Sequence, residues 1–371
     1  MKKILCIALV VASGLPGCGD NIKLEPDGSS PASDRATAFI VAGEFSSGVG
    51  IASRIGIPSL ELTTNVVSGV VSSDPVLRHI DDRLYVINRL GHDNITILDA
   101  DKARLITQIS TGPGSNPQDV AVKGRVLYVA ALASTGVLII DLDDPTTIRT
   151  VDLSGLDPRD GRPDCSALAL VGEQLFVTCG VLDGFAAVAP GKVAVIDTAS
   201  NSVITTFDLA TRNPFGYLYT TPANSMLGGD LLVATVDFSA GLTTGCLERI
   251  GVGSAPASKG CLVTNERLGG FASGFAYGPD DALYVAVTAG FDAMGTAARA
   301  IRYQVADDML DETAVSGAGQ RIFELAACPS GEWVFADATG GIRIYDAEFA
   351  ELTTKLLDVG LPPVDDGIVC Y

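Results

Sequence analysis

The sequence predicts an all-β protein built as a closed ring of seven repeated sheets, and three observations carry that expectation. The first is composition. The chain has 371 residues with 41 Gly and 18 Pro, is 47% hydrophobic and only 19% charged, which is too much turn chemistry for a helical bundle and ample apolar material for a core. The second is a repeat. One β-rich phrase occurs seven times, and aligned at Ile40, Tyr85, Tyr128, Phe176, Leu232, Tyr284 and Val334 its copies lie 45, 43, 48, 56, 52 and 50 residues apart, a period typical of propeller blades. The third is a mismatch at the ends. The first repeat lacks the short apolar strand that precedes every other copy, while Asp365–Tyr371 has that character and nothing after it. Together these predict a seven-bladed β-propeller whose C-terminal strand closes blade one and removes an open edge.

Before the ring, Lys2 and Lys3 precede an apolar run from Ile4 to Ala12, the charged and apolar regions of an export signal. The run is too short to span a bilayer. It ends in Leu15-Pro16-Gly17-Cys18, which resembles the bacterial lipobox. The resemblance implies a signal peptide over residues 1–17 and a lipidated Cys18 as the new N-terminus, with Pro16 departing from the usual residue there. Removing residues 1–17 takes away two lysines and no acid, so the formal charge of −19 becomes −21. Residues 18–35 then read as a lipidated Cys and a Pro/Ser/Gly/Asp tether with little to bury, and residues 36–371 as the propeller. The address expected is the bacterial cell envelope, on the periplasmic or cell-surface side, with the membrane touched only through the lipid.

Within each repeat four strands are expected. Inner strands cover Asp74–Ile80, Pro117–Val122, Cys165–Leu170, Phe215–Tyr219, Phe271–Tyr277 and Phe323–Cys328. The repeated phrase follows, as in Leu84-Tyr85-Val86-Ile87-Asn88. A third strand ends in Asp at Asp99, Asp141, Asp197 or Asp346, a station that suits a hairpin turn. Outer strands such as Leu105–Ile109 and Val203–Phe207 are expected to alternate, because only the rim of stacked sheets meets water. Leu84–Asn88 with Ile97-Leu98-Asp99, and Val193–Phe207, resemble the YVTN-repeat β-propeller family; blades five and six depart most, with Gly251 and Ala306 at the turn-Asp station. The resemblance covers Ala36–Tyr371 and implies the fold; the family includes binding proteins, enzymes and proteins of unassigned role.

Of eight cysteines, Cys6 falls in the signal and Cys18 at its end, which leaves six in an oxidising compartment. The repeat frame favours one pairing of the fifteen. Cys165 and Cys179 are each five residues out from a Val171–Glu173 hairpin loop. Cys246 and Cys261 lie on the third and fourth strands of blade five, and Cys328 and Cys370 at matching places on the inner strands of blades seven and one. The chain has no Cys-x-x-Cys or zinc-type spacing.

Chemistry is expected on one face, where loops entering the inner strands meet loops leaving the second strands. Asp74, Asp119, Asp164, Asp365 and Asp366 gather there as an incomplete acidic ring. Clustered carboxylates suit a hard cation such as calcium, with Asp74, Asp119, Asp164 and Asp366 as candidate ligands, although Asp beside Pro or Gly equally satisfies turn amides. The loops after the second strands bring His92 and Asp93, then Asp183 with Phe185, Asp237 with Phe238, and Phe291 with Asp292. These suit an adaptable recognition surface, or the Phe rings plug the loops against their own blades. No other cofactor is expected. His79 sits on an inner strand, no nucleophile elbow accompanies His92, and Gly112–Pro117 enters a strand with no Lys or helix after it, so it is no phosphate cradle. The net charge opposes phosphate backbones and so nucleic acid. The residues favour a binding or scaffold module for a protein or small molecule; the alternative is a hydrolase or lactonase-like enzyme with a cation at the tunnel mouth, using Asp119, Asp164 and Asp366.

Overall fold

Side chains along each second strand divide by parity, as the two-residue repeat of a strand requires. In Arg83–Asn88, Leu84 and Val86 pack toward blade one with Phe39, Val41 and Leu77, whereas Tyr85 and Ile87 pack toward blade three with Val120, Leu127 and Val129. A strand buried on both faces must be apolar almost throughout, which is why the repeated phrase is. The same division recurs around the ring, so the core comprises seven apolar clusters, one between each pair of adjacent blades. Each buried Leu, Ile or Val contributes about 1.5–3 kcal/mol.

The computed structural model describes residues 34–292, 295–311 and 315–371. The signal, Cys18 and nearly all of the tether lie outside the described residues. Blade two shows the pattern: Pro75–Ile80, Arg83–Asn88, Asn94–Asp99 and Arg104–Ser110 form one antiparallel sheet from the axis outward. Blades three to six repeat it. Blade seven has three strands, Ile322–Ala327, Trp333–Asp337 and Gly341–Tyr345, with isolated bridges from Ile342 to Leu357 and Tyr345 to Glu351 in place of a regular outer strand. Blade one is closed from the C-terminus. Pro363–Cys370 pairs with Ala36–Glu44, matching Ala38 with Cys370 and Ile40 with Ile368.

The turn aspartates do what their station implied: Asp99, Asp141, Asp197 and Asp346 each accept backbone N–H bonds in the following turn. The outer strands differ from expectation. Arg104–Ser110 does not alternate; Ile109 alone is buried, and Leu105, Ile106, Val203 and Ile204 face solvent. The gap between radiating blades widens with distance from the axis, so no neighbouring sheet covers the rim.

All three expected disulfides form: Cys165–Cys179, Cys246–Cys261 and Cys328–Cys370. They fit an oxidising, extracytoplasmic compartment. No described helix is long and apolar enough to cross a membrane. The third bridge spans 42 residues and ties blade seven to the closing strand, and a loop of that length is worth about 4 kcal/mol in the chain-entropy model.

An inner strand pairs with its own blade on one edge only, and its other edge faces the axis. Six inner strands carry a register irregularity, at Pro117/Asp119, Cys165/Ala167, Phe215/Tyr219, Ala272/Gly274 and Ile322/Glu324, and in the closing strand between Pro363 and Ile368, which turns polar groups toward the next blade. Those groups close a circuit. Arg78 donates to Asp119 at 2.7 Å, and Asp119 accepts the Leu168 amide at 2.8 Å. Ser166 donates to the Pro214 carbonyl at 3.0 Å, and the Tyr217 hydroxyl donates to the Phe275 carbonyl while accepting the Phe275 amide. Ser273 donates to the Phe323 carbonyl at 2.6 Å, and Glu324 accepts the Asp366 amide at 2.8 Å. Asp366 then faces Arg78 at 4.0 Å. Every one of the seven seams carries such a contact at the tunnel's waist. Gly274 makes room for it: a Cβ there would come within 2.3 Å of the Glu324 carboxylate.

Removing one partner of a buried ion pair leaves the other charge uncompensated. Arg78→Met should therefore cost about 3–5 kcal/mol in denaturant unfolding, and adding Asp119→Asn should recover part of that loss. Equal stability of Arg78→Met and wild type would remove the waist from the account of ring closure.

Candidate functional site

Above the waist the tunnel opens into a cleft of about 480 Å³ on the face where inner strands begin. Its apolar wall follows from the local folding of blades five and six. In blade five the loop after Leu231–Thr235 is tightened around Asp237: its carbonyl accepts the Ala240 and Gly241 amides, and its carboxylate accepts the Ser239 amide and hydroxyl. That turn lays Phe238 edge-on to Phe215, with centroids 5.1 Å apart and planes at 86°, and 5.9 Å from Phe271. In blade six the second and third strands run on past the barrel of the ring as a long hairpin, Ala282–Asp292 with Gly295–Gln304, in which Phe291 lies opposite Thr296. Phe45, in the turn between the first two chain strands, completes the rim. Phe291, Phe45 and Phe238 are 80%, 66% and 43% exposed. Large apolar side chains exposed together around a concavity mark an interaction site.

The polar floor contains three carboxylates in different states. Asp74 is paired with Arg89 at 2.5 Å, and Asp337 with Arg343 at 2.8 Å. Asp365 lines the cleft and makes no hydrogen bond or ion pair with a described residue. Asp365 is exposed through the open cleft, yet desolvation by the surrounding walls pushes its pKa up to about 6, reinforced by Asp366 and Asp74 and opposed by Arg89. Below it, burial and the adjacent Asp366 charge hold Glu324 well above the usual carboxylate range. Asp366 and Asp119 are likewise raised by burial, each against the pull of Arg78. On the far side of the waist, Tyr217, Tyr219, Phe275, Glu324 and Asp366 line a second cavity of about 400 Å³.

The candidate residues separate on this map. Phe238 and Phe291 line the cleft, as does Asp74. Asp292 ends the strand that carries Phe291, paired with Gly295 across the hairpin. Asp237 is used in its own turn and lies 3.7 Å from Arg212. Asp93 clasps the Gly114 and Asn116 amides at 2.7 and 2.9 Å, which is a structural role. His92 lines a separate depression between blades one and two. Asp183 and Phe185 belong to a small hairpin, Leu182–Asp183 with Ala186–Ala187, whose tip leaves Phe185 91% exposed and outside the cleft lining.

The four carboxylates read as cation ligands occupy different stations. Asp74 is at the mouth and Asp119 and Asp366 are at the waist. Asp164 accepts the Leu182 amide at 2.7 Å in blade four, where burial raises its pKa to about 6. Among the described residues no three His, Cys, Asp or Glu side chains come together as a metal-holding group. His79 stacks on Tyr371 with centroids 4.2 Å apart.

Phe45, Phe215, Phe271, Phe323 and Arg89 of the cleft, and Arg78, Tyr217 and Glu324 of the waist, escaped the sequence reading. A signal existed for Arg78 and Glu324: each is a charged residue inside a mostly apolar inner strand.

The raised pKa of Asp365 has a definite sign. The native state holds the proton more tightly than the unfolded chain, so ionisation costs stability as pH rises from about 4 through about 6. Asp365→Asn should raise Tm at pH 8 and leave it unchanged at pH 4. A Tm difference independent of pH would show that Asp365 does not titrate differently in the folded protein.

No family model matches the chain, and no curated protein matches it by sequence. Solved structures do match in shape. Virginiamycin B lyase from Staphylococcus aureus aligns with a TM-score of 0.53 at 10% identity, over 78% of this chain and 85% of that one. Apo AztD from Citrobacter koseri aligns with a TM-score of 0.54 at 12% identity, over 91% and 98%. A functionally unknown protein from Desulfotomaculum acetoxidans aligns with a TM-score of 0.56 at 11% identity, over 88% and 98%. At such identities the likeness establishes the seven-bladed β-propeller fold and nothing of the activity.

Proposed function

We propose that the protein is a binding module of the cell envelope that takes its ligand in the cleft at the tunnel mouth. The observation that carries this reading is the rim of Phe45, Phe238 and Phe291, exposed around a cavity that is large enough for a small molecule. Three features support binding over catalysis. The waist carboxylates Asp119 and Glu324 are each occupied by backbone amides. His92 lies away from the cleft lining. The hydrolase or lactonase-like alternative drew on Asp119, Asp164 and Asp366, which do not converge on one point. A fragment screen read by thermal shift and NMR should give hits that compete at one site and weaken at least about 10-fold in Phe238→Ala and Phe291→Ala, the scale expected on removing an aromatic anchor. Hits indifferent to both substitutions would move the site elsewhere.

The address we propose follows from the N-terminus: export, cleavage before Cys18, and attachment through a lipid on that residue, with the tether holding the ring off the surface. A body this acidic is not drawn to anionic headgroups, so the lipid supplies the membrane contact. The blade phrases and their spacing support a relationship to the YVTN-repeat propellers. Labelled palmitate should enter the wild-type protein and not Cys18→Ala, which should fractionate as soluble; continued labelling of Cys18→Ala would refute the anchor.

A further inference from the structure

The mouth cleft joins a mostly apolar wall with exposed aromatic rings to one carboxylate with no counter-ion of its own. The charges around Asp365 come from every element that faces it. Asp74 and Arg89 of blade two pair with each other, Asp337 of blade seven pairs with Arg343, Glu324 lies behind on the neighbouring inner strand, and Asp366 follows in the chain and faces Arg78. Asp365 is the cleft carboxylate left over from these pairings. Its surroundings offer a cation one carboxylate and several aromatic side chains, whereas a hard metal ion takes six to eight oxygens. Aromatic rings and a single carboxylate suit a weakly hydrated ammonium group, which gains both cation–π attraction and a charge partner.

We propose that the cleft recognises organic cations, an ammonium group seated against Asp365 with its apolar body among Phe45, Phe238 and Phe291. This rests on the reading of the cleft as a binding site and names the chemical class of its ligand. An anion of the same shape would meet Asp365 unfavourably, and a neutral one would leave it unpaired. Selectivity for charge thus comes from the floor, and tolerance of shape from the rim.

Three near-isosteric probes separate the possibilities in titrations with the purified protein at pH 7.5: benzyltrimethylammonium, neutral 2-methyl-1-phenylpropan-2-ol, and phenylacetate. The cation should bind about 10-fold or more tightly than the alcohol, the scale of a desolvated cation–π contact with a charge partner, and phenylacetate should bind most weakly. Asp365→Asn should abolish the preference for the cation while leaving the alcohol's affinity unchanged, and Phe291→Ala should weaken both probes together. Lowering the pH to 4.5, which protonates Asp365, should reproduce the effect of Asp365→Asn in the wild type. Equal binding of cation and alcohol, or a preference that survives Asp365→Asn, would overturn the inference and leave the cleft standing as a neutral apolar site. No binding of any probe would overturn it as well, and the cleft reading would then be judged by the fragment screen.

Discussion

Seven sheets arranged about an axis each present an inner strand with one unpaired edge, and the fold depends on how those edges are answered. In a closed barrel the next strand would pair with each edge. Here the neighbours are separate sheets, and side chains do the work: Asp119 on the Leu168 amide, Glu324 on the Asp366 amide, Ser166, Tyr217 and Ser273 on backbone groups ahead of them, with Arg78 linking the circuit between Asp366 and Asp119. Buried polar groups are tolerated when partnered. The circuit partners most of these groups, leaving one Arg78 nitrogen and the Asp366 Oδ1 without a hydrogen bond among the described residues, while the seven apolar clusters between blades supply most of the burial energy.

This arrangement divides labour along the axis. At the waist, Asp119 and Glu324 are bound by amides and Asp119 also by Arg78, so their chemistry is used in holding blades together, whereas the Asp366 carboxylate has, among the described residues, only Arg78 at 4.0 Å. At the mouth, Asp74 and Asp337 each have an arginine, and Asp365 does not. The inner strand that closes the ring contributes Asp366 to the waist and Asp365 to the cleft. One dipeptide thus reaches both the waist and the cleft, and the closing strand is held at its far end by the Cys328–Cys370 bridge.

Much of this was readable from the chain. A strand covered on both faces has to be apolar, so Leu84–Ile87 and its six counterparts announced themselves without alignment. The orphaned Asp365–Tyr371 segment could pair only with the repeat that lacked an inner strand, and that register carried Cys370 to Cys328. The aspartates at the third-strand turns were legible because a hairpin turn needs an acceptor at a set place. The outer strands were misjudged because alternation assumes a covered face, and radiating sheets leave the rim uncovered. Of the residues singled out by position, Phe238, Phe291 and Asp74 line the cleft, Asp74 as the partner of Arg89 and not as a cation ligand, whereas Asp93 binds amides of the loop that enters blade three and Asp237 those of its own turn.

Sequence alone determined the number of blades, the closure and the disulfides, since each follows from local pattern repeated at a known interval. Tertiary structure alone decided which carboxylate is free. Arg78, Arg89 and Arg343 neutralise acids 41, 15 and 6 residues away, and no local pattern says that Asp119, Asp74 and Asp337 will find those partners while Asp365 will not. Which charge is left unpaired at the cleft is settled only when all seven blades meet at the axis.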